Sequence, residues 1–173
     1  KYLPLSDSIE ILISLNKGSG FAKNTPISLC VFSDEQKTKG KISNIKSVNA
    51  LVSVLGAISA KESGFENAIL INTEGNCIEA TNSNIFLVKN KVIYTPPISD
   101  GPVDGTMRRW VVQNINVIER SIDLTDIRDA DEVFITNAIS GISAVDRVEE
   151  TTFSNFYYSA KLQKRLINLS LGL

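Results

Sequence analysis

The 173-residue sequence contains no histidine and only two cysteines, Cys30 and Cys77. A chain without imidazole offers no Ser-His-Asp triad, no histidine metal ligand and no histidine base. The two cysteines form no CxxC pair and each lies in an apolar stretch. We therefore expect buried free thiols rather than a zinc ribbon, an iron–sulfur site or a disulfide framework. Any chemistry must use lysine, acidic, hydroxyl or cofactor groups.

A large net charge and long apolar runs are lacking as well. The 18 basic and 19 acidic residues give a formal net charge of -1, so no strong field attracts nucleic acid or an anionic membrane. Apolar runs of only a few residues predict no transmembrane span. Apolar residues make up 43% of the sequence, which is typical of a globular domain. The sequence opens Lys-Tyr-Leu-Pro without Met or a signal peptide, so we expect it to begin partway through a larger protein.

Hydrophobic patterning predicts strands and helices that do not alternate strictly, which favours an α+β fold over a doubly wound sheet. The predicted strands are 9–15, 27–32, 67–72, 77–79, 84–88, 91–95, 117–120 and 132–136. The predicted helices are 47–63, a segment through Met107 and Ile115, 124–128 and 153–169. Segments 16–25 and 137–142 are predicted loops, and 34–41 is predicted to be solvated.

Lys46 is the first candidate for chemistry. It precedes a predicted helix and lies between the apolar residues Ile45 and Val48. Apolar surroundings disfavour a charged amine, and a neutral amine can form a Schiff base. Taken alone, the position fits an ordinary surface lysine better, because most lysines are solvated surface charges.

Two further segments carry polar groups in useful places. Glu79 is followed by the polar residues 81–84, whose donors let a partly buried carboxylate stay ionised and pair with a cationic ring nitrogen. The alternative is a turn carboxylate that faces water. Segment 104–108 (DGTMR) opens a predicted helix, where free amides, a glycine and a threonine hydroxyl suit a phosphate; the alternative is an Asp-capped helix. In chain order, Lys46, Glu79 and the candidate phosphate cradle at 104–108 suit the aldehyde, the ring nitrogen and the phosphate of pyridoxal phosphate.

The order of these segments resembles the class IV, or fold-type IV, pyridoxal-phosphate enzymes. Residues 79–86 (EATNSNIF), 93–95 (IYT) and 103–108 (VDGTMR) follow the family pattern, except that Thr106 replaces an apolar residue. Residues 45–49 (IKSVN) resemble the segment that carries the Schiff-base lysine. The resemblance spans about residues 40–148. The family includes branched-chain aminotransferases, D-amino acid aminotransferases and 4-amino-4-deoxychorismate lyases.

The resemblance implies pyridoxal 5'-phosphate as cofactor, Lys46 as the catalytic Schiff-base lysine and Glu79 as the partner of the pyridine nitrogen. The cofactor-binding residues that it implies are Lys46, Glu79, Asn82, Gly105, Thr106, Met107, Asn137 and Ala138. It implies no metal ligand. It further implies an α+β fold, the large C-terminal domain with a mixed, barrel-like sheet and flanking helices. We expect residues 1–173 to be a single cofactor-binding domain and a fragment of a longer two-domain chain, because nothing matches the family's small N-terminal domain.

Two positions separate the subfamilies. Asn137-Ala138 follows the EVFIT strand as in the lyases, and Leu51 stands where branched-chain aminotransferases carry a tyrosine. The resemblance thus implies a lyase that converts 4-amino-4-deoxychorismate to 4-aminobenzoate and pyruvate. The alternatives are a class IV amino acid aminotransferase and a degenerate, non-catalytic domain. The family also implies a cytoplasmic homodimer that acts on a small molecule, without nucleic-acid or membrane partners.

Overall fold

The structure is a computed structural model that describes residues 8–15, 21 and 25–172. The strands are β1 (Ile27–Lys37), β2 (Asn67–Asn72), β3 (Cys77–Ala80), β4 (Ser83–Lys89), β5 (Val92–Thr95), β6 (Val117–Glu119), β7 (Glu132–Asn137), β8 (Gly141–Val148) and β9 (Thr151–Thr152). The helices are α1 (Leu51–Glu62), α2 (Thr106–Asn114), α3 (Leu124–Arg128) and α4 (Tyr157–Ser170), with a 3-10 turn at Ile98–Asp100. This confirms the predicted α+β class.

The strands form one mixed sheet that closes on itself. Its order is β3-β2-β1-β8-β7-β4-β5-β6, β9 pairs with β8, and β3 also pairs with β4. The β3–β4 pairing makes a ring of β3, β2, β1, β8, β7 and β4, from which β5 and β6 extend. Strand β1 pairs in parallel with β2 and β8, whereas most of the other pairings are antiparallel. A closed sheet satisfies the backbone of its strands and leaves few edges.

The core follows from strands that are apolar on both faces. All six residues of β2 (NAILIN) are buried, and so are the first six of β4. Phe86 of β4 and Phe134 of β7 lie opposite each other in register, and their rings stack with centroids 5.0 Å apart. Such burial of large side chains is the main stabilising term of the fold.

Both cysteines are free and buried, as the sequence predicts. Burial raises the pKa of Cys77 to about 12 and also raises the pKa of Cys30. Both thiols are therefore protonated at neutral pH and poor nucleophiles.

Three strand predictions need correction. Residues 8–15 form no regular structure, and Leu12 is 96% exposed, because no described strand pairs with this apolar segment. Strand β1 continues to Lys37 through polar residues that pairing with β2 holds in place. Strand β8 is missing from the prediction, since Ser143, Asp146 and Arg147 interrupt the apolar pattern of a strand paired on both sides. The predicted loop 16–25 lies mostly outside the described residues.

Strands β4 and β5 form a hairpin, and Asn90 and Lys91 are its turn. Asn90 and Lys91 both have positive φ, as a tight two-residue hairpin turn requires.

Two helices start later than predicted. Helix α1 begins at Leu51 rather than Ser47, and α4 begins at Tyr157 rather than Phe153, which is 7% exposed and packs in the core. Among the described residues, no helix combines the length and the hydropathy needed to cross a bilayer.

Candidate cofactor site

The predicted site residues meet in one cavity of about 560 Å³. Its lining includes every one of them: Lys46, Glu79, Asn82, Gly105, Thr106, Met107, Asn137 and Ala138. Three parts of the chain surround it. We call residues 79–84 and 136–139 the strand wall, residues 42–53 the loop wall, and residues 103–107 the helix end. The fold thus gathers residues that are far apart in the sequence.

Glu79 is the buried charge of the strand wall. Its position in β3, opposite Leu70 of β2 and Asn84 of β4, leaves it 4% exposed. One carboxylate oxygen accepts a bond from the Nζ of Lys37, and the other accepts the backbone N–H of Val103 at 2.8 Å. Burial of a carboxylate is costly unless it is paired and hydrogen-bonded, and here both conditions hold.

Lys46 lies on the loop wall and is exposed. Its neighbours Ile45 and Val48 are 62% and 105% exposed, so the expected apolar surroundings are not seen in this chain. The reason is that no described segment packs over this side of the loop. Lys46 is therefore a candidate because it lines the cavity, and not because its amine is buried.

Asn44 holds the loop wall against the helix end. Its Nδ2 donates to the backbone carbonyls of Ile98 at 2.8 Å and Pro102 at 2.7 Å. Its backbone carbonyl accepts the N–H of Asp104 at 3.0 Å. These three bonds fix the loop that carries Lys46 beside the start of α2. Sequence reasoning missed Asn44, although it lies only two residues before Lys46.

The helix end matches the predicted cradle. Gly105 is the N-cap residue of α2, and no side chain caps the helix. The first amides of a helix have no partner inside it, and they favour an anion. A Cβ on Gly105 would lie 2.2 Å from Oδ1 of Asn84, whose Nδ2 donates to the carbonyl of Val103 at 2.7 Å. Glycine thus lets the helix end approach the strand wall closely.

Two charges next to the helix end have clear partners. Arg108, 3% exposed, donates to the carbonyl of Pro96 at 2.9 Å and to Glu119 of β6 at 2.5 Å. The basic residue that ends the family motif therefore anchors α2 to the sheet. A hydrogen bond from Arg109, at 2.8 Å, lowers the pKa of Asp104.

The predicted amides of the strand wall belong to one network. Oδ1 of Asn82 accepts bonds from Asn67 and from the hydroxyl of Ser83, both at 2.9 Å. Nδ2 of Asn137 donates to the same hydroxyl at 2.9 Å, while its Oδ1 accepts the N–H groups of Ile139 and Ser140. The side chain of Asn137 thus shapes its own loop, and Ala138 offers the cavity only a methyl group and its backbone.

The lining also fits a phosphorylated aromatic ligand by its chemistry. Thr136 is 1% exposed, and its hydroxyl has no partner among the described residues, although the residue lines the cavity. An orphaned buried hydroxyl is uncommon in proteins and points to a missing partner. A helix start, a carboxylate paired with a lysine, and the second lysine Lys46 occupy the same cavity, whose volume lies within the range of small-molecule pockets. The residues therefore fit the cofactor that the sequence predicts.

Comparison with protein families gives one match that spans most of the chain. Residues 5–148 match the family described as amino-transferase class IV. A curated relative, a putative branched-chain-amino-acid aminotransferase of Methanocaldococcus jannaschii, is 36% identical over 116 residues, which cover 64% of this chain and 40% of that protein. The aminodeoxychorismate lyase of Vibrio harveyi is 30% identical over 123 residues, which cover 68% of this chain and 45% of that protein.

A solved structure is also similar to this chain. The crystal structure of a putative 4-amino-4-deoxychorismate lyase from Legionella pneumophila matches with a TM-score of 0.77 and 30% identity, covering 85% of this chain and 57% of that one. The chain spans less than half the length of the two curated relatives above, 40% and 45%.

Proposed function

Because this chain belongs to the amino-transferase class IV family, we propose that it supplies the cofactor-binding domain of a pyridoxal-phosphate enzyme. The observation that carries the proposal is the single cavity lined by Lys46, Glu79 and the helix end. We take residues 1–173 as one such domain of a longer chain, in line with the coverage of the curated relatives.

Each group of the cavity has a task in this proposal. The amine of Lys46 would hold the cofactor's aldehyde and afterwards move a proton at the substrate. Glu79 would face the ring nitrogen, and the amides of Thr106 and Met107 would hold the phosphate. Asn82, Gly105, Asn137 and Ala138 shape the walls around it. When bound, the cofactor supplies an electron sink for the bond that breaks.

For the reaction we propose a lyase that converts 4-amino-4-deoxychorismate to 4-aminobenzoate and pyruvate, a step of folate biosynthesis. Leu51 lies on the loop wall and brings no hydroxyl to the cavity. The side chain of Asn137 closes the loop of the strand wall, as an Asn-Ala step permits. The relatives from Vibrio harveyi and Legionella pneumophila support this choice.

A class IV aminotransferase is the second candidate, favoured by the 36% identity with the putative branched-chain enzyme. In that case Lys46 would carry a proton between the substrate carbon and the cofactor. The reactions differ in their need for a second substrate. A lyase releases pyruvate without an amino acceptor, whereas an aminotransferase depends on a 2-oxo acid.

We also propose a cytoplasmic homodimer acting on a small molecule. The exposed apolar side chains of Ile42, Ile45, Val48 and Leu51 form a patch of the kind that a second copy covers. Free buried cysteines accord with a reducing compartment.

The deciding experiment treats the full-length protein with pyridoxal phosphate, reduces it with borohydride and maps the pyridoxyl group by mass spectrometry. We expect the group on Lys46, and we expect Lys46→Ala to abolish it, with activity falling by at least about 100-fold. Lys41→Ala is the matched control, because Lys41 is an exposed lysine of the same region outside the cavity lining.

The outcomes separate the candidates. Pyridoxyl groups scattered over surface lysines contradict the proposal and leave the degenerate domain as the better account. If Lys46 is labelled, release of 4-aminobenzoate and pyruvate from 4-amino-4-deoxychorismate supports the lyase, and activity only with a 2-oxo acid supports the aminotransferase.

A further inference from the structure

Lys37 connects two walls of the cavity. It is the last residue of β1, where a register irregularity separates it from Phe32, and its side chain is 15% exposed. Its Nζ forms an ion pair with one oxygen of Glu79. The same Nζ donates a long hydrogen bond, 3.4 Å, to the carbonyl of Ser43. One ammonium group thus reaches both the buried carboxylate and the loop that carries Lys46.

The charges explain why a lysine stands there. Glu79 is 4% exposed, so an unpaired carboxylate would be costly at this position. An adjacent cation favours the ionised form of a carboxylate. The backbone N–H of Val103 holds the second oxygen. The carboxylate is therefore fixed at both oxygens, one by a charge and one by a neutral donor.

A fixed carboxylate keeps accepting capacity beyond these two bonds. Each carboxylate oxygen has two lone pairs, so Glu79 can bind a third donor from the cavity without losing Lys37 or Val103. A donor such as a protonated ring nitrogen would then meet an acceptor whose direction is already set. Preorganisation of this kind lowers the cost of binding.

We propose that Lys37 is a positioning residue that pairs with Glu79 and holds it aimed at the ring nitrogen of the cofactor, and that ties the Lys46 loop to it through Ser43. The proposal rests on the proposed function, since it presupposes the cofactor. It assigns a role to a lysine that lies outside the family motif and that sequence reasoning missed.

The test compares Lys37→Met, Lys37→Arg and Lys39→Met with wild type in the full-length protein. Lys37→Met should raise the Kd for pyridoxal phosphate by about tenfold and change the absorption spectrum of the bound cofactor. Lys37→Arg keeps a cation and should stay within about twofold of wild type. Lys39→Met is the matched control, because Lys39 pairs with Glu74 and Asp100 outside the cavity lining.

A purely structural role predicts a different result. In that case Lys37→Met lowers the thermal stability of the cofactor-free protein but leaves the Kd and the spectrum of the folded fraction unchanged, and this would overturn the proposal. Failure of Lys37→Arg to restore the spectrum would overturn it as well.

A double-mutant cycle separates this proposal from the proposed function. In a Glu79→Gln background, Lys37→Met should change the Kd by less than about twofold, since the charge it serves is gone. If wild type forms no adduct on Lys46, the proposed function fails. The same cycle on the thermal unfolding of the cofactor-free protein still reports whether Lys37 and Glu79 act as a pair, and additive effects there contradict the pairing.

Discussion

The strand wall and the loop wall of the cavity differ in what holds them. Glu79, Ala80, Ser83 and Asn84 of the strand wall are all buried, as is Thr136. The structure describes all of residues 42–53 of the loop wall, and none of them is buried. The strand wall is part of the closed sheet, while the loop wall is joined to it through Lys37 and to the start of α2 through Asn44.

This contrast assigns different tasks to the two walls. The buried strands of the first wall carry mostly hydrogen-bonded polar groups, which makes them rigid and suits the proposed orientation of a ring. An exposed loop has few contacts and lower local stability, which suits the role proposed for Lys46, bonding to the cofactor and then releasing it. Substitutions in the strand wall should therefore cost stability, and those in the loop wall should act on binding.

The largest effect is expected where the helix end touches the strand wall. Gly105→Ala places a Cβ 2.2 Å from Oδ1 of Asn84, so the buried Asn84 side chain or the start of α2 must shift to accommodate it. We expect a loss of about 2 kcal/mol in the free energy of unfolding and weaker binding of pyridoxal phosphate. Denaturant titration and ligand titration measure the two effects.

A double variant identifies the cause of that loss. Asn84→Ala removes the atom that the new Cβ meets, so Gly105→Ala should cost less in this background than in wild type. Strict additivity of the two losses would mean that the contact is not the cause.

Asn44 is the next position, because it joins the loop wall to the segment that leads into α2. Asn44→Ala removes two donated bonds and leaves the carbonyls of Ile98 and Pro102 without this partner. We expect a loss of about 1 to 2 kcal/mol in the free energy of unfolding and a several-fold higher Kd for pyridoxal phosphate.

The control for Asn44 is Asn168→Ala, at an exposed position of α4. It should change stability by less than about 0.5 kcal/mol. If Asn44→Ala lowered stability but left the Kd unchanged, the loop would not need this anchor to shape the site.

A smaller effect is expected at Asp104, which lies at the junction of the helix end and the loop wall. Its pKa is lowered by the hydrogen bond from Arg109, so the bond stabilises the fold above the unfolded pKa and is lost as the pH falls through the folded pKa. Asp104→Asn should therefore lower Tm slightly at pH 6, and the difference from wild type should shrink below about pH 4. A difference in Tm that stays constant across this range would contradict the assignment.

The sequence predicts the strand wall well, and the reason is local. The short strands β2, β3 and β4 and the turns between them specify an antiparallel meander whose polar residues have fixed positions on the strands. The motif around Glu79 lies in this unit, and the structure gathers all the predicted site residues in one cavity. Lys37 and Asn44 were missed because their partners lie 42 and more than 50 residues away.

In the loop wall and the following helix α1, the helical spacing of apolar residues does not predict which of them are buried. The spacing of Val48, Leu51, Val52, Leu55 and Ile58 predicts an apolar helix face. Only Val52 is partly buried and packs against the core, and the other four are exposed. Helix α1 instead packs on the sheet through Gly56 and Ala60, and a Cβ on Gly56 would lie 2.9 Å from Leu70. A pattern of apolar residues predicts that one face of a helix will be covered, but it does not identify the segment that covers it. Strand β8 was missed for a related reason, since pairing on both sides overrides its polar residues.

The smallest effect is expected at Val48, and it tests what covers the loop wall. Val48 is 105% exposed and Val133 of β7 is 0% exposed. The same substitution can therefore be compared at a fully exposed and a fully buried valine. If the loop wall is uncovered, Val48→Ala changes the free energy of unfolding by less than about 0.5 kcal/mol, whereas Val133→Ala costs about 2 kcal/mol. Under the homodimer proposal, the effect of Val48→Ala in the full-length protein depends on concentration, because only the dimer buries this side chain. Tm measured over a hundredfold range of protein concentration distinguishes an uncovered loop wall from one covered by a second copy. If the effect of Val48→Ala on Tm is the same at every concentration, the proposal that a second copy covers this face is contradicted.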